Sequence, residues 1–123
     1  MNRNIVDISS LVSLLPTAAH AATVNGASVE MHRHSGRAAL VLESAAGTGT
    51  SPTLDVSLED SDDGVSWAAT GVAFAQVTTV ASRQMLGVDV DSLRRHVRAR
   101  AVIGGTGPSF TFAVIALVCP QVL

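Results

Sequence analysis

The run TLDVSLED (53–60) sets Leu54, Val56 and Leu58 on one side of an extended chain and Asp55, Ser57 and Glu59 on the other. That period of two marks a strand with one face in a core and the other in water. No stretch of the chain counters it with a long 3.6-residue apolar repeat, so the core has to be closed by sheets. From Asn25 onward, short β-type runs alternate with turn residues: RAALVLES (37–44), TLDVSLED, VSWAATG (65–71), FAQVTTV (74–80), RQMLGVDV (83–90), HVRARAVI (96–103) and FTFAVIALV (110–118). In the last run Phe110, Phe112, Val114, Ala116 and Val118 share one face, and the opposite face is also largely apolar, as in a central or interface strand. Between the runs, Asn25-Gly26 predicts a two-residue hairpin, AAGTGTSP (45–52) a loop and GGTGPS (104–109) a glycine-rich turn. DSLRR (91–95) predicts a short connection with one helical turn capped by Asp91. This spacing predicts an all-β fold: a single-domain antiparallel β-sandwich or jelly roll.

The first residues, MNRNIVDISSLVSLLPTAAHAATV, imitate a weak secretory signal with an early arginine, an apolar patch and Ala-His-Ala at 19–21. Asp7 and the serines interrupt the apolar patch and Pro16 cuts it short. The segment therefore reads as structural, with residues 1–22 forming an extended N-terminal arm and first strand ahead of a β-sandwich domain at 23–123.

The stretch LEDSDDGVSW (58–67) gathers Glu59, Asp60, Asp62 and Asp63 ahead of Trp67, the sole tryptophan. A calcium loop of the EF-hand kind needs oxygen ligands at alternate positions, a glycine at its sixth residue and a glutamate at its twelfth. Counted from Asp60, Asp62 fits, but Gly64 takes a ligand position, Val65 replaces the turn glycine and Gly71 replaces the glutamate. A polar hairpin turn fits better, with Asp and Ser side chains bonding nearby backbone and Gly64 supplying a positive φ. Trp67 then sits beside that turn and covers the edge of the core.

All eight basic residues are arginines, set against ten acids, for a formal net charge of −2. With aromatic residues at 3%, the chain lacks both the basic excess and the stacking platforms of a nucleic-acid binder. Its longest apolar runs are too short to span a membrane as a helix. In RRHVRAR (94–100), Arg94, His96, Arg98 and Arg100 fall on one side of an extended segment. They read as a solvated strand face, with an acidic-partner or phosphate-binding stripe as the alternative. The lone Cys119 cannot close an internal disulfide and reads as a small buried hydrophobe.

No constellation for catalysis emerges. The serines and the histidines His20, His32, His34 and His96 show no nucleophile setting, and a chain without lysine cannot supply a P-loop. His32-x-His34 points two imidazoles to one side of a strand, but two histidines alone make an incomplete zinc site. The expectation is a protein that is not an enzyme and holds no cofactor and no metal.

Two linked blocks carry a family resemblance: GRAALVLESAAGTGTSPTLDVSLEDSDDGVSWAATGVAFAQVT and VDVDSLRRHVRARAVIGGTGPSFTFAVIAL. Over roughly residues 29–118 the chain resembles small virion proteins encoded among the head genes of tailed bacteriophages and of phage-derived gene transfer agents. The resemblance implies a non-enzymatic structural protein on the outer surface of a phage-like capsid, as a decoration protein or the base of a head spike or fibre. It implies the major capsid protein and further copies of the chain, as a cyclic homo-oligomer, as partners, with a spike or fibre protein docked on top, and no direct nucleic-acid or membrane contact. Its location would be the virion, and the host cytoplasm during assembly. For such contacts the expected residues are Ile5, Val6, Ile8, Leu11, Val12, Leu14 and Leu15 of the arm, with Arg94 and Arg98 of the basic stripe; the alternative for the arm is an ordinary edge strand. A tail-associated protein and a carbohydrate-binding β-sandwich are the competing readings, the latter disfavoured by one Trp, three Phe and no Tyr.

Overall fold

The computed structural model describes residues 10–30 and 36–118. It is an antiparallel all-β structure of sandwich or jelly-roll type, curled nearly into a barrel. Its strands are β1 (Ser10–His20), β2 (Val24–Asn25), β3 (Val29–Glu30), β4 (Arg37–Ser44), β5 (Thr48–Ser61), β6 (Ala68–Ala73), β7 (Ser82–Asp89) and β8 (His96–Val118).

β8 organises the rest. Its first part pairs with β5 on one edge and with β2 and β3 on the other, and its last part pairs with β1 and β4. One sheet therefore runs β1-β8-β4-β7, the other runs from β2 and β3 through β8 and β5 to β6, and β8 belongs to both. The inner faces meet in a core of period-two residues: Leu40 and Leu42 of β4, Leu54, Val56 and Leu58 of β5, and Val97, Ala99, Ala101 and the Phe110-to-Val118 set of β8. Fully burying a side chain such as Phe110 or Leu54 contributes roughly 1.5–3 kcal/mol.

The sequence GGTGPS is not a turn but the corner where β8 passes between sheets. β5 bends with it: Thr48 pairs with Ser109, Thr50 with Thr106 and Thr53 with Gly104, with irregular register between them. Gly105 has φ 111° and Ser51, on the facing strand, φ 49°. A Cβ on Gly105 would lie 2.7 Å from the Ser51 carbonyl oxygen, so both the backbone angle and the close approach require glycine. Much of the expected 45–52 loop is thus paired as the start of β5. Two chain-breaking stretches distant in sequence meet at one corner, where each completes the other's ladder.

Three more expectations change. Asn25-Gly26 forms no hairpin, because β2 and β3 both run along β8, with Val24 opposite Ala101 and Val29 opposite Val97. The Gly26 N–H donates to the Ala99 carbonyl at 2.7 Å, and a Cβ there would collide with the Leu14 carbonyl. The glycine serves a close backbone approach. FAQVTTV makes only one bridge, Val77 to Leu54, although Phe74 and Val77 are buried. The Gln84 side-chain amide takes the place of a strand partner there, accepting from Ala75 N–H at 2.8 Å and donating to its carbonyl at 2.9 Å. The helical turn after β7 is a 3-10 turn, Val90–Ser92, capped by Asp89 rather than Asp91.

The described part of the 1–22 segment, from Ser10 onward, is joined to the strands that follow it. β1 pairs with β8 from Ser10 opposite Val118 to His20 opposite Phe110, and Leu14 and Leu15 enter the common core.

Replacement at the corner tests this account. Gly105→Ala is expected to cost about 3 kcal/mol by chemical denaturation, from strain plus collision with Ser51. Gly107→Ala is expected to cost only about 1 kcal/mol, because φ is 58° and space for a Cβ is open.

Candidate functional site

The expected hairpin after TLDVSLED forms, with Asp60 opposite Ala68 and Glu59 opposite Ala69. At its tip the Ser61 Oγ accepts the N–H groups of Asp63 (3.2 Å) and Gly64 (2.9 Å) and donates its own proton to Asp63 Oδ1 (2.9 Å). Asp63 Oδ1 also accepts from Val65 N–H at 2.8 Å and Ser66 N–H at 2.9 Å. Gly64 turns the chain with φ 77°. Ser66 N–H first, then Val65 N–H and the Ser61 hydroxyl, hold the Asp63 carboxyl down at about 2, since each favours the charged acceptor. One carboxylate is therefore committed to the turn.

The other three meet the arginine stripe, brought alongside because β5 lies on β8. Glu59 Oε1 accepts from Arg98 Nε at 2.8 Å, with the side chains only 16% and 20% exposed. The Arg98 guanidinium also lies 4.4 Å over the Trp67 ring, so charge pairing and stacking hold it together. The buried Asp60 accepts the Arg94 backbone N–H at 3.0 Å. Arg94 approaches Asp60 and Asp62 loosely, at 3.9 and 3.8 Å. Arg95 lies 3.7 Å from Glu30, and Arg100 reaches Asn25 at 3.3 Å. The stripe expected as a solvated strand face, with an acidic-partner or phosphate-binding surface as the alternative, is thus faced by Glu59, Asp60 and Asp62 of LEDSDDGVSW.

The expected contact residues divide. Ile5, Val6 and Ile8 lie outside the described residues. Leu11 is 70% exposed, Val12 packs partly on the core, and Leu14 and Leu15 are buried at 1% and 4%. Those two leucines are thus core residues, not surface ones. Arg94 is half exposed, whereas Arg98 is covered by Trp67 and Glu59. Exposed Met85 and Leu117 were not among the expected contact residues; Leu117 lies on the apolar second face already read in FTFAVIALV, and Met85, in RQMLGVDV, is brought to the same side of the sheet by the pairing of β7 with β4.

Among the described residues no three His, Cys, Asp or Glu side chains gather as a metal site, and no helix is long and apolar enough to cross a membrane. His32, His34 and Cys119 lie outside the described residues. His20 stacks obliquely on Phe112, ring centres 5.2 Å apart. The arrangement at the carboxylate-arginine end fixes a hairpin; no nucleophile with its base stands in it.

Two outcomes follow. The Asp63 carboxyl is expected to titrate near 2 by NMR. Its folded value lies below the ordinary carboxylate value of about 4, so its stabilisation is full above that value and is lost as pH falls towards about 2. The stability gap between wild type and Asp63→Asn should close over that interval. Arg98→Ala is expected to cost roughly 1–3 kcal/mol, leaving a mostly buried Glu59 without its partner, and to shift the emission of the sole tryptophan to the red.

No protein-family model and no curated protein matches the sequence. Among solved structures, the chain is similar to the PBSX exported protein XepA, with TM-score 0.65, 16% identity and the whole of this chain covered. It spans 40% of the XepA chain. The SPBc2 prophage-derived protein YomS matches with TM-score 0.53 and 13% identity, over 89% of this chain and 91% of its own. VP2 of the infectious bursal disease virus subviral particle matches with TM-score 0.59 and 12% identity, over 91% of this chain and 32% of its own. These neighbours, phage-derived and viral, share the fold.

Proposed function

We propose that this chain is a non-enzymatic structural protein of a phage-like virion, attached to the outer surface of the head as a decoration protein or as the base of a head spike or fibre. Its partners on this reading are the major capsid protein and other copies of itself in a cyclic oligomer, with a spike or fibre protein above. One coincidence carries the reading: the blocks at 29–118 resemble small head-gene virion proteins, and the fold is similar to phage-derived proteins and a viral capsid protein. The consumption of the carboxylates and arginines in internal bonds supports a structural rather than a catalytic role. A carbohydrate-binding role is disfavoured by Trp67, whose ring already carries the Arg98 guanidinium; a sugar stacking on that face would have to displace it.

The test is electron cryomicroscopy of particles from the source strain beside particles lacking this gene. Density lost from the outer head surface is the expected result, and its symmetry axis separates shell decoration from a vertex spike base. Unchanged heads with density lost from the tail would replace the head assignment with a tail one. Unchanged heads and tails would remove the virion reading.

A further inference from the structure

The chain has three asparagines, Asn2, Asn4 and Asn25, and of these only Asn25 precedes a glycine. An Asn-Gly bond is chemically fragile. The glycine nitrogen, with no side chain beside it to obstruct approach, gives its proton to water or hydroxide and attacks the asparagine Cγ. A C–N bond forms, the side-chain nitrogen leaves as ammonia, and a succinimide ring results. Water then opens the ring at either carbonyl, to an aspartyl residue or to an isoaspartyl one whose main chain is longer by a carbon. Replacing the glycine is no escape here, because a Cβ at Gly26 would collide with the Leu14 carbonyl.

The fold restrains each participant in that reaction. The Gly26 N–H donates to the Ala99 carbonyl at 2.7 Å, so the nitrogen keeps its proton until that bond breaks. Asn25 lies opposite Arg100 in β2, and the extended backbone of a strand turns the glycine nitrogen away from the side chain it would attack. The Asn25 Oδ1 is held by Arg100 Nη1 at 3.3 Å. Asp63-Gly64, the second fragile dipeptide, is restrained in the same manner: Gly64 N–H donates to Ser61 Oγ at 2.9 Å, and Asp63 Oδ1 accepts from Ser61, Val65 and Ser66. Ring closure there expels water from a neutral carboxyl, and this carboxyl stays charged down to about 2. The two locks differ in strength. The hairpin tip is tied by bonds within a few residues, whereas β2 is two residues long and Asn25 is exposed. Such short edge segments open at the low end of the range of local unfolding free energies.

We propose that Asn25 is a self-modification site gated by local opening of β2 from β8, converting to aspartyl and isoaspartyl forms while the rest of the fold stays closed. The two products differ in consequence. The aspartyl form sets a negative charge beside Arg100 and keeps the main-chain length, so β2 closes again. The isoaspartyl form puts an extra carbon between Val24 and Gly26, so the contacts of Val24 with Ala101 and of Gly26 with Ala99 no longer form together. That side of β8 is then left open. The inference is independent of the virion reading and stands on the isolated chain.

The experiment incubates the purified full chain in mildly alkaline buffer, in a series of urea concentrations from none to beyond the unfolding transition. Peptide mass spectrometry follows Asn25 and, as an internal control, Asp63. Conversion at Asn25 in the folded chain should be roughly tenfold to a hundredfold slower than in the unfolded chain, and nearly independent of urea below the transition, because a local opening exposes little surface. Val24→Ala, which trims a partly buried contact of β2 with the core, should speed Asn25 about fivefold by favouring that opening and leave Asp63 unchanged. Trp67 emission checks that the variant is folded; if it is not, the urea series on wild type decides alone. Conversion in the folded chain as fast as in the unfolded one would overturn the proposal by removing the gate. Conversion that appears only with global unfolding, or that rises at Asn25 and Asp63 together in Val24→Ala, would overturn it by making the opening global.

Discussion

The hydrogen-bonded ladder between β5 and β8 is the constraint from which the remainder follows. It runs from Ser61 opposite His96 to Thr48 opposite Ser109, and its bend at Gly104 to Gly107 turns one strand pair into members of both layers. Without the bend, Val97, Ala99 and Ala101 would not face the same core as Phe110, Phe112 and Val114. A strand shared between layers also removes most of the open edge a short sandwich would otherwise present. β1, β2 and β3 cover the remaining side of β8.

The same ladder explains the chemistry of the carboxylate-arginine end. Its register sets Glu59 opposite Arg98, and its terminus at Ser61 sets the acidic tip beside Arg94. The desolvation cost of Glu59 and Arg98 is offset by a short charge-assisted bond and the indole face. Asp63 carries no such burial. Its role is to satisfy the amides that the tip exposes, as Asx turns do. Two runs of opposite charge, far apart along the chain, thus form one structural unit.

How much of this was legible follows from the range of each signal. TLDVSLED, the Phe110 face, β7 and the 62–67 hairpin rest on alternation or on a turn whose bonds are made within a few residues, and these were read from the chain. Asn25-Gly26, GGTGPS and FAQVTTV misled because their conformations are settled by distant partners: Ala99 and Leu14 for Gly26, Ser51 for Gly105, Gln84 for Ala75. The pairing of acids with arginines was hidden for the same reason, since composition reveals both runs but not the register that joins them. Leu14 and Leu15 were ambiguous in another way: an apolar arm and an apolar edge strand have the same residues until their partner strand is known.

Polar and apolar surfaces are divided between the two layers. The sheet containing β5 spends its charges on itself, whereas the outer face of the sheet containing β4 exposes Leu11, Met85 and Leu117 beside the Glu43–Arg83 ion pair and the Arg37 guanidinium, which lies over Gly87. For a chain acting alone, such a face carries an aggregation liability with no gain to the core. For a chain held at many equivalent positions on a particle, local concentration makes even a small contact effective.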